Sequence, residues 1–267
     1  MRIAVLVKQV PDSDDVQMDE TTGTMVREGV GAIINPLDLN ALEAALDLKR
    51  NRGALVSVFS MGPPRTEEAL REALSLGADE AHLVSDKAFA GGDTWATALT
   101  LAAALRKTGP WDMILAGEKA TDGETGQVGP ETAALLDVPC STYVSEMEMG
   151  DDSVMVTRSV EDGLERQRLP LPCLLTVLRS LNEPSMPTLS GKKRGRRAKL
   201  PVMNADSLDI SPEGAGLKGS ATRVVKVFYP SLTRDGARYS GKDLDEGVNR
   251  LVEELQSRAL IQRGERS

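Results

Sequence analysis

The chain has 267 residues, a net charge of -8 and only 3% aromatic side chains. That length buries a core without disulfides or metals, and the core must be Leu, Val, Ile, Ala and Met in closely packed layers of sheet and helix. The acidic balance argues against nucleic-acid binding, and His82, the single histidine, argues against a His-based triad or a multi-His metal site. Cys140 and Cys173 form no Cys-x-x-Cys pair and fit a reduced, cytoplasmic setting. No apolar run reaches membrane-spanning length, and Arg2 to Val7 reads as a strand rather than a signal peptide, so no membrane insertion is expected.

Taken in order, Ile3 to Val7 is a continuous apolar run and predicts a central parallel strand. Lys8 follows at the strand's carboxyl end; it faces a phosphate or is solvated. Asp12 to Gly31 is polar, with a turn at Thr22 to Thr24, and reads as a hairpin or surface excursion. Asn35 precedes Pro36 and is extended, set either to cap the following helix or to bond a ligand. Leu39, Leu42, Ala45 and Leu46 keep helical spacing over Leu39 to Lys49. Ala54 to Met61 predicts a second strand, Glu67 to Leu76 a helix, Ala81 to Val84 a third strand, Thr94 to Lys107 a helix and Trp111 to Ala116 a fourth strand. Strand and helix alternate up to Pro139, which predicts an α/β fold with a doubly wound, mostly parallel sheet. Beyond it, Cys140 to Glu148, Ser153 to Val160, Arg166 to Leu169 and Leu174 to Leu178 read as β segments without long helices, added antiparallel strands that extend the sheet or cover an edge, with the apolar run Cys173 to Leu178 alternatively a last core strand. From Arg179 the chain reads as a connector with an apolar tip, Met186 to Ser190, and a basic run, Lys192 to Arg197. Val224 to Val227 is β-like, and Leu244 to Leu260 predicts an amphipathic helix. The expected division is a nucleotide-binding domain over 1–180, then a loop and an extended C-terminal arm over 181–267 that wraps a partner.

The stretch Leu115 to Pro139 joins a buried strand, a loop rich in Gly, Thr and acidic residues, and a helix start near Ala133. The first N–H groups of a helix lack internal partners and carry partial positive charge, so such a stretch can hold a phosphate. The loop is neither GxGxxG nor a P-loop with its lysine, so phosphoryl transfer is not indicated. By itself it reads first as an ordinary strand-to-helix connection with Gly for turns.

Several collinear segments together resemble the beta subunit of electron transfer flavoproteins. They are Val7-Lys-Gln-Val-Pro-Asp12, Asn35-Pro36, Ser60-Met-Gly-Pro63, Arg71 to Glu80, Ala88 to Ala96, Asp122-Gly-Glu-Thr-Gly-Gln-Val-Gly-Pro130 and Asn182-Glu-Pro184. The resemblance implies a Rossmann-like, adenine-nucleotide hydrolase-like fold and a heterodimer with an alpha subunit that carries a redox FAD. It implies a second nucleotide in this subunit: AMP in simple carriers, FAD in electron-bifurcating ones. The residues it implies are Leu6, Asn35, Pro36, Leu37, Asp38, Met61, Gly117, Ala120, Thr121, Asp122, Gly123, Glu124, Thr125, Gly126, Gln127 and Val128. Main-chain N–H groups of Gly126, Gln127 and Val128 would hold phosphate, and Leu6 and Met61 would flank the adenine. The FAD-type loop usually reads DGDTAQVGP; here Glu124 and Gly126 depart from it. FAD is favoured over AMP, with NADH as an electron donor and ferredoxin as a low-potential acceptor if the chain bifurcates electrons. Leu189 matches the residue that such subunits insert into an acyl-CoA dehydrogenase partner, and the basic run would steer an acidic partner.

The expected function is therefore electron transfer between dehydrogenases or NADH and downstream acceptors through flavin. No residue here acts as nucleophile or general acid, and any NADH oxidation would need the alpha subunit. The alternatives are a non-redox AMP sensor or scaffold of the same fold and, with less support, an ATP-using enzyme.

Overall fold

β1 (Arg2–Leu6) alternates its side chains between two buried layers, Ile3 and Val5 on one face and Ala4 and Leu6 on the other. Neither face meets water, which is why the strand reads as an unbroken apolar run. The structure, a computed structural model, describes residues 1–12, 31–225 and 236–261. β2 (Gln9–Pro11) and β3 (Ala32–Ile34) form a separate antiparallel ribbon, closed by a bond from Asp12 N–H to the Gly31 carbonyl (2.8 Å). The polar excursion expected between them lies mostly outside the described residues.

α1 (Pro36–Arg52) starts ahead of Leu39, where its apolar periodicity begins. Proline at the first helical position has the right φ and lacks only an N–H that would be unpaired anyway. The helix ends at Gly53 in the left-handed conformation, φ 68°. The alternating elements follow as expected: β4 (Leu55–Met61), α2 (Glu67–Leu76), β5 (Glu80–Val84), α3 (Thr94–Thr108), β6 (Met113–Gly117) and α4 (Val128–Leu136). Then come β7 (Cys140–Met149), β8 (Ser153–Val160), β9 (Gly163–Pro170), β10 (Cys173–Val177), α5 (Leu189–Arg197), β11 (Val202–Met203) and the short α6 (Gly216–Gly219).

The nine-stranded sheet runs β11-β5-β4-β1-β6-β10-β7-β8-β9. The pairs from β11 to β7 are parallel; β7-β8 and β8-β9 are antiparallel. α1 and α2 cover one face, and α3 and α4 the other. The fold is the expected mostly parallel α/β sheet with antiparallel additions. β10, the run Cys173 to Val177, is inserted between β6 and β7 and is fully buried.

The stretch after Arg179 departs from the expected connector. The basic run is helix α5, seated on α2 through Gly191 and Gly195. A Cβ at Gly191 would stand 2.1 Å from the Ser75 carbonyl oxygen, and one at Gly195 2.4 Å from that of Arg71. The Arg71 guanidinium donates to the carbonyls of Gly195 (2.8 Å) and Arg196 (3.0 Å). β11 extends the parallel sheet, and Ala205, Leu208 and Ala215 lie in the core. The first compact unit therefore runs to Lys226, past the division expected at 180, because these segments bury apolar surface against the sheet. Val224 and Val225 are exposed coil rather than strand; the rest of that segment is outside the described residues. The second unit, 227–267, holds α7 (Leu244–Ser257), with Leu244, Val248, Leu251 and Val252 exposed.

Candidate nucleotide site at the carboxyl edge of the sheet

From β1 the chain moves outward to β4 and β5, then returns as β6 on the opposite side of β1. Strand order reverses between β1 and β6, and this opens a crevice beyond their carboxyl ends. Leu6 ends β1, in register with Phe59 of β4 and Ala116 of β6, and Met61 ends β4. The segment Asn35 to Asp38 opens α1, and Gly117 to Val128 joins β6 to α4.

Asp38 fastens these pieces together. It is 6% exposed, and its carboxylate accepts from Lys8 N–H (2.7 Å) and Gly117 N–H (3.0 Å), clasping the ends of β1 and β6. Burial pushes its pKa up to about 7, against the lowering effect of those hydrogen bonds. Gly117 is needed beside it, since a Cβ there would stand 2.5 Å from the Asp38 Oδ1 and 2.7 Å from the Leu37 carbonyl carbon. Pro36 and Leu37 supply backbone to the same turn, and Leu37 is buried.

Asn35 is fully buried and sits at the cap position of α1, yet its side chain does not cap the helix. Its amide instead donates to the Lys119 carbonyl (2.9 Å) and accepts from Thr121 N–H (3.2 Å), holding the loop down over the crevice. Lys8 is paired with the loop: its Nζ lies 2.7 Å from Asp122 Oδ1. Lys119 and Glu124 pair at 3.4 Å.

A turn closed by Glu124 N–H on the Ala120 carbonyl (2.8 Å) carries Thr121, Asp122 and Gly123. Gly126 has φ 65°, a region that alanine enters only under strain, and its absent Cβ leaves the loop surface bare. Among the described residues, the N–H groups of Thr125, Gly126, Gln127 and Val128 donate to no acceptor. They stand at the positive end of α4. Asp122 and Glu124 of the loop are each paired with lysine, and the bare N–H groups at the start of α4 fit a nucleotide phosphate.

Gly129, one residue further, lets α4 approach β10: a Cβ there would lie 2.4 Å from the Thr176 methyl. The Thr94 hydroxyl of α3 donates to Glu131 of α4 (3.0 Å), tying the two helix starts together. Sequence reasoning missed the part played by Lys8 as well as Thr176 and Tyr143. Lys8 carried a signal in its place after the first strand, but not its partner; Tyr143 carried only its rarity, as one of three tyrosines in an aromatic-poor chain.

Leu189 lies away from the crevice, at the start of α5, and is 89% exposed; Met186 is 87% exposed. Their base is rigid. The Asn40 amide donates to the Asn182 carbonyl (2.7 Å), and buried Glu43 accepts from Ser185 N–H (2.9 Å) and Oγ (2.8 Å). Burial raises the Glu43 pKa, but these bonds and Arg50 outweigh it and hold the carboxyl below its usual range. Thr188 caps α5 by accepting from Gly191 N–H (3.0 Å).

Burial pushes the Cys140 and Cys173 thiols up to about 11 and about 12, so both stay protonated. His82 stacks on Phe59, with ring centroids 4.7 Å apart. Among the described residues no helix is long and apolar enough to cross a membrane, and no cluster of His, Cys, Asp and Glu could hold a metal.

Residues 22–208 match the family model of the electron transfer flavoprotein domain. The chain is 45% identical over 262 residues to the caffeyl-CoA reductase-Etf complex subunit CarD of Acetobacterium woodii, covering 98% of this chain and all of that one. It is 45% identical, with the same coverage, to the electron transfer flavoprotein subunit beta of Thermoanaerobacterium thermosaccharolyticum. It is 39% identical over 268 residues to the acryloyl-CoA reductase electron transfer subunit gamma of Anaerotignum propionicum, covering 98% of this chain. These matches run nearly the full chain and favour electron transfer over a free-standing nucleotide sensor. A reversed strand order with a glycine-bearing loop over it, and kinship along almost every residue, lead to one assignment: the chain belongs to the electron transfer flavoprotein family, as a beta subunit that serves electron transport.

Proposed function

We propose that this subunit holds FAD in the crevice between β1 and β6 and works as a heterodimer with an alpha subunit. The observation that carries the reading is the loop 117–128. It is fastened by Asn35, Asp38 and Lys8, and it offers unpaired N–H groups at the start of α4. Gly126, Gln127 and Val128 would take the phosphate, and Leu6 and Met61 would lie beside the adenine. When bound, the flavin supplies the electron-transfer chemistry; the chain binds it, orients it and keeps charged side chains paired around it. No side chain at the crevice is placed to act as a nucleophile.

Kinship to subunits named for caffeyl-CoA and acryloyl-CoA reductase systems supports redox partners of the acyl-CoA dehydrogenase kind. Exposed Leu189 on its braced tip is the contact we assign to them. The apolar side of α7 is the surface we assign to the alpha subunit. NADH as donor and ferredoxin as second acceptor complete the bifurcating version of this reading.

The test is nucleotide content after co-production with the alpha subunit. Two FAD per heterodimer support the proposal. One FAD with one AMP would make the chain a simple carrier whose own nucleotide is structural. Anaerobic NADH should then bleach the flavin absorbance of the two-FAD complex; an unbleached spectrum would rule out NADH-driven bifurcation and leave the carrier role standing.

A further inference from the structure

Tyr143 has no place in the family-derived site, yet its geometry directs it there. It lies in β7 with φ 59°, the left-handed region, where a non-glycine residue is strained. The register of β7 shifts here against both neighbours, between Val144 and Glu146 facing β8 and between Leu175 and Val177 facing β10. A bulge of this kind re-aims a side chain out of the regular alternation. The side chain it re-aims reaches the loop: the Tyr143 hydroxyl stands 3.6 Å from where a Cβ of Gly126 would be.

The strained residue is held on both sides. Arg158 donates to the Thr142 carbonyl (3.0 Å) and Thr142 Oγ1 (3.0 Å), and it is paired with Glu165 at 3.3 Å. The Thr176 hydroxyl, on the strand that receives Gly129 of α4, accepts from Tyr143 N–H (3.4 Å). The ring itself is not core packing, since Tyr143 is 45% exposed and walls an open groove with Arg158, Ser159, Val160 and Glu161. Its hydroxyl has no hydrogen-bond partner among the described residues. A phenolic O–H is a donor, and here it stands beside Gly126 of the loop.

We infer that Tyr143 is a further binding residue of the crevice, whose hydroxyl donates to the phosphate group held by Gly126, Gln127 and Val128. The inference rests on the nucleotide reading above and names the phosphate as the group recognised. It accounts for a strained, partly exposed aromatic at a bulge, which neither burial nor strand pairing requires.

The test compares AMP with adenosine on the full chain freed of bound nucleotide, by calorimetric titration. Tyr143→Phe should weaken AMP about tenfold, the effect of one hydrogen bond to a charged group, and leave adenosine unchanged. Equal losses for both ligands, or none, would overturn the assignment. A wild-type chain that binds AMP no better than adenosine would place the phosphate away from Tyr143 while keeping the nucleotide reading. One that binds neither would remove both. Should the variant not fold, fluorine NMR of the wild-type chain labelled with fluorotyrosine supplies the second readout: one tyrosine resonance should move with AMP and stay with adenosine. No AMP-specific movement would count against the inference.

Discussion

Asp38 is the residue on which the crevice depends most, and it is costly to the fold. A carboxyl with pKa near 7 in the folded chain and 3.8 when free binds more protons folded than unfolded between those values. Its contribution therefore weakens stability as pH rises from about 4 to about 7, by up to about 4 kcal/mol. Asp38→Asn removes the charge and one acceptor. Urea titrations should show the stability gap between wild type and variant shrinking from pH 5 to pH 8; a constant gap would mean that Asp38 is ionised throughout. Gly117→Ala should cost about 1–3 kcal/mol and lower nucleotide content, because its methyl meets Asp38 Oδ1 and the backbone of Leu37 rather than a flexible side-chain end. Gly126→Val should impair nucleotide retention with a smaller loss of stability, since its Cβ would make ordinary contacts with the Glu118 carbonyl (3.4 Å) and the Tyr143 hydroxyl (3.6 Å) and the strain lies in φ. Nucleotide content by absorbance after gel filtration checks both. Asn35, Asp38 and Gly117 were legible as a group in the sequence, but their individual roles were not. Whether an amide caps a helix or pins a loop depends on residues 84 and 86 positions away.

Among elements, α5 is the instructive one. The sequence reads it as a basic run on a connector, set to steer an acidic partner. In the structure Gly191 and Gly195, one helical turn apart, let it lie against α2 at backbone contact, leaving Lys192, Lys193 and Arg197 exposed. Gly195→Leu should lift α5 from α2 and destabilise the chain by about 1–3 kcal/mol in chemical denaturation. Leu189→Ala, by contrast, removes a side chain that touches little. It should leave the melting temperature and nucleotide content unchanged while slowing electron exchange with an acyl-CoA dehydrogenase. A loss of nucleotide would show the tip to be structural.

At the scale of the molecule, the described residues form two compact units, 1–226 and 227–267. The second contributes one amphipathic helix whose Leu244, Val248 and Leu251 are each more than half exposed. A helix with an uncovered apolar side is not a stable end state in water, and we expect the alpha subunit to cover it. A chain ended at Ser240 should keep the cooperative unfolding of the first unit. It should also co-elute poorly with the alpha subunit on gel filtration; unchanged co-elution would assign the contact to another surface.

The sequence by itself determined the alternation of strand and helix, the double burial of β1, β6 and β10, and the loop that would face a ligand. Periodicity and turn chemistry are local, and a strand buried on both faces has no choice but to be apolar throughout. Family kinship was also readable there, because it is carried by the order of short motifs. Only the tertiary structure decided that β10 inserts beside β6, that a basic run docks as a helix, and that Lys8 is bound to Asp122. It alone brings Tyr143 to Gly126. Each of these rests on a contact between segments remote in the chain, where packing distance and charge pairing, rather than local propensity, set the free energy.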